Sequence, residues 1–339
     1  KFEMLENYKF ITLFLFLNFF LVFFFNYYSS FFKITDRPDG TRKLHKKEVK
    51  VLGGSIILAN LSLCILYFYY FEKNTLIQVF SSEKKLLVFF VSSILIYIIG
   101  LIDDKISLPA LNKLFLVTLV IATSLLLNTN LILDIKLSFV DTINLNKFSF
   151  FFTLFSYIIF INAFNMLDGI NLQVGFYSLF ITLFLILNGL NLMLGLTILL
   201  ALLSYLKLNY ENKVFFGDNG TMLLAYMFSY FFIELYSNET IKFADEILLV
   251  LLLPGLEITR LILERTFSNA NILKADRNHI HHLIYFIKNN YLSFYIIQAL
   301  LILPYVFSSF LKNNLISILI FSIIYFVLIL FFKKNKKKN

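Results

Sequence analysis

Four aspartates lie at the edges of long apolar runs, where charged side chains are costly to place. Asp103 and Asp104 follow Gly100, whereas Asp168 and Asp218 each lie beside a glycine. Ionisable residues beside membrane spans are expensive, so they favour a functional interpretation. Two adjacent carboxylates repel each other unless a cation is present, and Mg²⁺ usually takes one or two carboxylates together with phosphates and water. The pattern therefore predicts a site for Mg²⁺ and phosphate chemistry.

Simpler explanations exist for each acid taken alone. Asp103 and Asp104 could form a solvated helix end, and Asp218 could cap a helix and complement its dipole. Three acidic elements on one predicted face of the membrane favour a shared site over these explanations. Asn162 and Asn165 lie one helical turn apart just before Asp168, so their amides can face the same pocket.

Three of the four histidines lie close together in the sequence, at His279, His281 and His282. Neutral imidazoles often bind transition metals, but with Arg265 or Arg277 they could instead contact phosphate oxygens or a base edge. We favour the second interpretation, because the acids on the same predicted face are hard oxygen ligands suited to Mg²⁺.

Basic residues occur in two further settings. The loop Arg42–Lys47 contains Lys43 and His45. The positive charge of cytoplasmic loops explains it without further function, and contact with an anionic lipid headgroup is an additional role. Glu257 and Arg260 lie about one turn apart and are expected to pair with each other.

The composition is that of a membrane protein. Hydrophobic residues make up 59% and charged residues 15% of the 339 residues, with a mean hydropathy of +0.79, whereas soluble domains are about 45–50% apolar and about 25% charged. The net charge of +9 comes mainly from loops on one side of the membrane, so it does not indicate nucleic-acid binding. A single cysteine, Cys64, excludes internal disulfides and thiolate metal clusters.

Apolar runs of about 20 residues, each long enough to cross a bilayer as a helix, recur along the chain. The run 172–206 would be about 52 Å long as one helix, against an apolar core of about 30 Å, so we divide it at Asn188-Gly189. Segment 134–147 alternates enough to be a short external hairpin. We predict one all-α polytopic membrane domain over residues 1–339, with eleven transmembrane helices near 10–32, 51–71, 86–102, 114–133, 148–164, 172–187, 190–206, 219–236, 247–263, 291–311 and 315–332.

The distribution of basic residues predicts the orientation. Twenty of the thirty Lys and Arg residues fall in one set of loops and nine in the other. The richer set should be cytoplasmic, which puts the N-terminus in the periplasm and the C-terminus in the cytoplasm. All the polar segments described above then belong to one site in the cytoplasmic loops.

Taken in order, these segments match a known pattern. Its five elements are R-K-x-H…GG from Arg42, GxxDD from Gly100, NxxNxxDG from Asn162, FxGDxG from Phe215 and DRxHIHH from Asp276. The set resembles the polyprenyl-phosphate N-acetylhexosamine-1-phosphate transferases. The element His279–His282 is similar to that of the WecA-like branch, the undecaprenyl-phosphate GlcNAc-1-phosphate transferases.

The resemblance implies a multi-pass enzyme of the bacterial inner membrane. It would transfer N-acetylhexosamine 1-phosphate from a UDP-N-acetylhexosamine to undecaprenyl phosphate, and UDP-GlcNAc is the donor that the resemblance favours. This reaction would be the first membrane step in the synthesis of a cell-surface glycan such as lipopolysaccharide O-antigen. Mg²⁺, or Mn²⁺ in its place, would be the cofactor, UMP would leave, and the enzyme would form a homodimer. Direct attack by the lipid phosphate is favoured, because its second pKa of about 6 leaves it mostly ionised at neutral pH.

The resemblance also implies roles for individual residues. Asp218 and Asp103 would bind the metal, and the catalytic acids would be Asp103, Asp104 and Asp168. The substrates would be bound by Lys43, His45, Asn162, Asn165, Arg265, His279, His281 and His282. The chain departs from the family's usual DGxDG, since Asn171 replaces the second Asp and Leu172 the following Gly, and Lys50 stands where a Pro is common.

Other interpretations stay open. A transporter would have broken helices, repeated halves and charges deep within its spans, and a non-catalytic scaffold would not need polar segments on one face. Within the family, UDP-GalNAc, UDP-QuiNAc and UDP-FucNAc are alternative donors.

Overall fold

The long apolar runs of the chain form helices, which satisfy their backbone polar groups internally. The computed structural model describes residues 2–32, 34–36, 48–268, 278–285 and 290–336. A short 3₁₀ helix covers Asn146–Phe148. The α-helices are α1 (Phe2–Phe23), α2 (Phe25–Phe32), α3 (Gly53–Phe71), α4 (Lys73–Phe80), α5 (Glu83–Ile106), α6 (Ala110–Asn128), α7 (Ser149–Asn165), α8 (Gln173–Leu187), α9 (Leu192–Tyr210), α10 (Gly217–Ser237), α11 (Ala244–Val250), α12 (Leu252–Phe267), α13 (Ile280–Tyr285), α14 (Asn290–Leu311) and α15 (Asn314–Lys336).

Short strands occur between some of the helices. Strand β2 pairs antiparallel with β1 and parallel with β5. Strands β3 and β4 form an antiparallel pair, which confirms the hairpin predicted over 134–147. The strands of the described residues are β1 (Thr35–Asp36), β2 (Val49–Val51), β3 (Asp134–Leu137), β4 (Val140–Asn144) and β5 (Val214–Phe215).

The parallel pair β2–β5 determines where two helices begin. Lys50 lies opposite Val214 and Val51 opposite Phe215, and each strand leads directly into a helix, α3 and α10. Gly217 makes the turn into α10 with a φ of +62°, a conformation that glycine adopts without a steric penalty. The N-termini of α3 and α10 therefore start side by side.

Seven helices of the described residues are long and apolar enough to span a membrane, and an eighth if α1 and α2, bent by 67°, form one span. The chain is therefore a mainly helical, multi-pass membrane protein. The count of eleven and the orientation stay predictions. The seven span candidates are Gly53–Phe71, Glu83–Ile106, Ala110–Asn128, Asn146–Asn165, Leu192–Tyr210, Leu292–Leu311 and Asn314–Asn335.

The predicted break in the run 172–206 is confirmed. Helix α8 ends at Leu187, Gly189 has a φ of +102°, and α9 begins at Leu192. The Asn191 side chain caps α9 by accepting hydrogen bonds from the backbone N–H groups of Met193 and Leu194 at 3.0 and 3.2 Å. The local turn chemistry was thus sufficient to locate the break.

The predicted span 247–263 is instead divided between α11 and α12, with a turn at Leu251. Pro254 explains the break, because it has no N–H for an interior helix bond and its ring clashes with the carbonyl four residues earlier. Pro254 is tolerated in the first turn of α12, where backbone N–H groups have no helical partner.

The chain groups into two compact units. The first comprises Lys1–Asn130 and Ser178–Phe231, and the second comprises Leu131–Tyr177 and Phe232–Asn339. In the first unit the core is centred on α10, where Phe89 of α5 contacts the rings of Tyr226 and Tyr230. In the second, the buried Tyr177 stacks on Phe164 and donates its hydroxyl to the Val250 carbonyl at 2.9 Å. The single domain over 1–339 stays a prediction.

Candidate active site

Asp103 and Asp104 lie in the last turn of α5, in the first unit. Helix α5 passes the start of α10 at Gly100, where an added Cβ would lie 2.5 Å from the Asn219 Cα. Only a residue without a side chain permits this approach. Asp104 follows Gly100 by about one helical turn and reaches the start of α10. The spacing GxxDD therefore has a structural reason.

Asp104 accepts hydrogen bonds from three N–H groups at the start of α10. Its Oδ1 accepts from the backbone N–H of Asp218 at 2.9 Å, and its Oδ2 accepts from the backbone N–H and side-chain amide of Asn219 at 2.9 and 2.6 Å. The first N–H groups of a helix have no helical partner, and a carboxylate there complements the helix dipole. Asp104 thus holds the turn that carries Asp218. Its catalytic role stays a prediction.

Asp103 and Asp218 both contact the ammonium group of Lys113, which lies on α6. Lys113 Nζ donates to Asp103 Oδ2 at 2.9 Å and forms a second, shorter contact with Asp218 Oδ2. Asp103 Oδ1 accepts the backbone N–H of Leu108 at 2.6 Å. Two carboxylates from α5 and α10 therefore converge on one cationic group.

This carboxylate pair fits Mg²⁺. Burial raises the pKa of Asp218 to about 7, with Asp103 and Asp104 acting in the same direction and Lys113 opposing them. A nearby cation favours the ionised form of such a group. Within the described ranges, no set of three or more His, Cys, Asp or Glu side chains is arranged to hold a metal. Mg²⁺ commonly needs only one or two carboxylates when substrate phosphates and water complete its coordination.

Asn162, Asn165 and Asp168 lie at the end of α7, in the second unit. The chain turns there through bonds from the Asp168 N–H to the Asn165 carbonyl at 3.2 Å and from the Gly169 N–H to the Leu167 carbonyl at 2.9 Å. All three polar side chains are half-buried. The Asn162 amide donates to the carbonyl one turn earlier, at 2.7 Å.

The turn at Asp168–Gly169 contacts the histidine segment (His279–His282). A Cβ added at Gly169 would lie 2.1 Å from His281 Nε2, so this imidazole packs directly on the glycine. The rings of His279 and His281 are stacked, with centroids 5.5 Å apart, and the His281 and His282 centroids are 4.2 Å apart. The NxxNxxDG and HIHH elements are therefore neighbours in space.

His281 is the most enclosed of these imidazoles, with 3% of its surface exposed. Burial lowers the pKa of His281 well below its ordinary value, and His282 and His279 act in the same direction. His281 is therefore neutral at physiological pH. Its place beneath the Asp168–Gly169 turn indicates a packing role in addition to the substrate contact predicted for it.

The structure places the other predicted residues as follows. Glu257 and Arg260 pair at 2.7 Å, as expected from their spacing. Arg265 is half-buried in the last turn of α12. Lys43 and His45 lie outside the described residues, as do Asp276 and Arg277. That the acids of the first unit and the histidines of the second serve one site stays a prediction.

Comparison with known proteins gives a consistent result. A family model described as glycosyl transferase family 4 matches residues 86–236, a stretch that includes all four aspartates discussed above. A protein of Bacillus subtilis (strain 168) named probable undecaprenyl-phosphate N-acetylglucosaminyl 1-phosphate transferase is 26% identical over 257 residues, which cover 73% of this chain and 68% of that protein. The chain is thus similar to glycosyl transferase family 4 over its central part and to a relative named for N-acetylglucosaminyl 1-phosphate transfer over most of its length.

Enterobacterial relatives match a shorter part of the chain. Proteins of Escherichia coli (strain K12) and Salmonella typhi, both named undecaprenyl-phosphate alpha-N-acetylglucosaminyl 1-phosphate transferase, are 28% and 27% identical over 152 residues. These matches span 41% of this chain and 41% of each relative. The resemblance found from the sequence motifs is thereby confirmed.

Leu172 lies at one of the two departures from the family pattern and has a backbone conformation that favours glycine. Leu172, which stands where the family usually has glycine, has a φ of +70°. Glycine adopts this conformation freely, whereas other residues at such angles cost about 1–3 kcal/mol. The chain therefore has a glycine-like turn at a position where the family usually has glycine, whereas Asn171 supplies no charge.

Two residues that bond to the aspartates of the first unit, Lys113 and Asn219, were not predicted from the sequence. Lys113 is one of the basic residues on the predicted cytoplasmic side, and its place ten positions after Asp103 at a membrane boundary is the signal that could have indicated an ion pair. Asn219 was only the variable position of FxGDxG, yet its amide also donates to the Val51 carbonyl at 3.1 Å and accepts the Gly54 N–H at 2.9 Å.

Proposed function

We propose that this chain is an Mg²⁺-dependent transferase of the inner bacterial membrane. It transfers N-acetylhexosamine 1-phosphate from a UDP-N-acetylhexosamine to undecaprenyl phosphate and releases UMP. UDP-GlcNAc is the proposed donor, because the similar proteins from Bacillus and the enterobacteria are named for N-acetylglucosamine. The resemblance also leads us to propose that the chain forms a homodimer and that its product enters the synthesis of a cell-surface glycan.

One observation carries the proposal: Asp103 and Asp218 converge on a single cationic group, Lys113 Nζ, at the start of α10. Phosphoryl transfer requires mainly positioning and neutralisation of charge, with little covalent chemistry by the protein. A pair of partly buried carboxylates beside a helix N-terminus is suited to hold a cation that neutralises phosphate charge. Bound Mg²⁺ would be held by these two carboxylates and would neutralise charge on the diphosphate and the leaving UMP.

The proposed reaction is a direct transfer between the two substrates. An ionised oxygen of the lipid phosphate forms a bond to the β-phosphorus of the nucleotide sugar, and the bond from this phosphorus to the bridging oxygen breaks. The electron pair leaves with UMP. Asp104 holds the turn that presents Asp218. Imidazole N–H groups of the histidine segment are suited to contact phosphate oxygens, because neutral imidazoles can donate a hydrogen bond.

The direct test is a transfer assay with the purified protein in lipid vesicles. Radiolabelled UDP-GlcNAc, undecaprenyl phosphate and Mg²⁺ should give chloroform-extractable label, which EDTA abolishes. Asp218→Asn should lower the rate by about 100-fold or more, because metal stabilisation of the transition state is worth several kcal/mol. Asp141→Asn is the matched control, since Asp141 is exposed on β4.

Parallel reactions with UDP-GalNAc, UDP-QuiNAc and UDP-FucNAc decide the donor. Product from one of these and none from UDP-GlcNAc would keep the transferase and change the sugar. Lack of product from all four donors would overturn the proposed function. Activity that survives EDTA would overturn the metal requirement alone.

A further inference from the structure

Glu257, Arg260 and Tyr325 form a buried polar cluster in the second unit. The side chains of Glu257 and Arg260 are each 4% exposed, and Tyr325 of α15 is 1% exposed. Arg260 donates from Nη2 to Glu257 Oε1 at 2.7 Å and from Nε to the Tyr325 hydroxyl oxygen at 2.8 Å. The Tyr325 hydroxyl in turn donates to Glu257 Oε2.

Arg260 also makes hydrogen bonds at the edge of this cluster. Arg260 Nη1 donates to both carboxylate oxygens of Glu264 at 3.0 Å, and Lys333 contacts the same carboxylate. Burying an ion pair is often neutral or unfavourable for stability compared with apolar packing. The cost of this cluster therefore calls for a reason other than stability.

The cluster holds the backbone on both sides of His279. Arg260 Nη2 donates to the Asn278 carbonyl at 2.8 Å, and Glu257 Oε1 accepts the Ile280 N–H at 2.9 Å. Glu257 Oε1 also lies 3.7 Å from His279 Nδ1. One carboxylate and one guanidinium thus define the position from which the His279 side chain projects.

Helix α13 needs such support. It contains six residues, whereas isolated helices shorter than about 12–15 residues are marginal in water. The bond from the Ile280 N–H to Glu257 satisfies a backbone donor at its first residue, and a carboxylate there complements the helix dipole. The orientation of the three imidazoles therefore depends on side chains of α12 and α15.

We propose that Glu257, Arg260 and Tyr325 are positioning residues for the histidine segment, and that transfer depends on them although none of the three is assigned a substrate contact. The claim that transfer depends on these three residues rests on the proposed function. The claim that they position the histidine segment does not. Placement errors of about 1 Å in a catalytic site can cost about 100-fold in rate.

Tyr325→Phe is the sharpest test, because it removes one hydroxyl that joins Arg260 to Glu257. Tyr236→Phe is the matched control. Tyr236 is a buried tyrosine of the same unit whose hydroxyl donates to the Asp134 carbonyl at 3.2 Å and accepts the Lys136 N–H at 2.7 Å. Each change therefore removes two hydrogen bonds, one pair beside the histidine segment and the other at the β3–β4 hairpin.

Backbone hydrogen exchange of the full-length protein in lipid nanodiscs, followed by mass spectrometry, measures positioning without any substrate. Tyr325→Phe should speed exchange in 278–285 by about tenfold or more, because bonds to charged groups are lost, and leave 134–144 unchanged. Tyr236→Phe should do the reverse. Unchanged exchange in 278–285, or equal acceleration in both segments, would overturn the proposal.

Transfer kinetics on the same samples test the functional part. Per folded molecule, Tyr325→Phe and Arg260→Lys should lower kcat/KM by about 10- to 100-fold, and Tyr236→Phe should stay within about twofold of wild type. Faster exchange with wild-type transfer would overturn the role in transfer. A wild-type protein without transfer activity would overturn the proposed function, while the exchange result would still decide whether the cluster positions the segment.

Discussion

At the scale of single residues, the adjacent Asp103 and Asp104 make different contacts. Successive side chains on a helix point about 100° apart, so Asp103 and Asp104 reach different groups near the start of α10. Asp104 bonds to the first N–H groups of α10, whereas Asp103 faces Lys113 and Asp218. Adjacent identical residues therefore serve one cluster in two ways.

This difference predicts unequal effects of the same substitution. Asp104→Asn keeps only one carbonyl oxygen, and its new NH₂ group faces an N–H donor of α10. An unsatisfied buried donor costs about 1–3 kcal/mol, so the melting temperature in detergent should fall by several degrees. Asp103→Asn can keep the bond to the Leu108 N–H and should abolish transfer with a smaller loss of stability.

Thermal melts and transfer assays on the two variants together check this prediction. The Asp141→Asn variant gives the effect of the same chemical change at an exposed position. Equal melting temperatures for Asp103→Asn and Asp104→Asn would contradict the division of roles.

The sequence predicted most of the charged residues of the candidate site because charge is rare in this chain. Asp103, Asp104, Asp168 and Asp218 stand out at the edges of apolar runs, and the structure gives Asp104 and Asp218 adjacent places. Neutral or basic partners carried no such signal. Asn219 is one of many asparagines in the chain, and a lysine such as Lys113 in a loop on the basic side needs only the positive-inside rule to explain it.

At the scale of elements, the long helices were predictable and the short strands were not. Apolar length and the Asn188-Gly189 turn sufficed for α8 and α9. Strands β2 and β5 contain three and two residues, too few for an alternating pattern. Their pairing joins segments more than 160 residues apart, a relation that local sequence does not encode. Yet this pairing sets the starts of α3 and α10 beside each other.

The close approach of α3 and α10 predicts a sharp response to one methyl group. A Cβ at Gly54 would lie 2.3 Å from the Asn219 Oδ1 and 2.7 Å from its backbone oxygen. Overpacking of this kind typically costs about 1–3 kcal/mol, and it would also displace the residue that bonds Asp104. Gly54→Ala should therefore lower both the melting temperature and the transfer rate.

Gly255→Ala in α12 is the control, since an added Cβ there meets nothing within 4 Å. Alanine is favoured over glycine in a helix interior by up to about 1 kcal/mol, so this variant should melt at the wild-type temperature or slightly above it. A Gly54→Ala protein that melts like Gly255→Ala would show that the two helix starts tolerate separation.

At the scale of the whole molecule, the number of crossings decides on which side each loop lies. Seven helices of the described part pass as spans, and the bent pair α1–α2 would be an eighth. Three further predicted spans coincide with α8, α10 and the broken pair α11–α12. Helix α10 is buried along most of its length, as expected for a helix that is apolar all round and surrounded by protein.

Eleven crossings predict a specific pattern of labelling by a membrane-impermeant maleimide. In a Cys64→Ser background, single cysteines in place of Tyr8, Asp141 or Lys312 should react in cells whose outer membrane alone is permeable. Cysteines in place of Glu211 or Lys334 should react only after the inner membrane is opened. All five positions are exposed, so burial does not limit their reaction.

The prediction of this orientation rests on the charge of the loops. Twenty of the thirty Lys and Arg residues lie on the side assigned to the cytoplasm, and basic residues near membrane spans are retained on that side. The donor sugar nucleotide and Mg²⁺ would reach the site from there. Labelling of position 8 on the same side as position 334 would require an even number of crossings and contradict the predicted eleven. Labelling of position 211 in cells with an intact inner membrane would place the loop before Asp218 outside and contradict a cytoplasmic site.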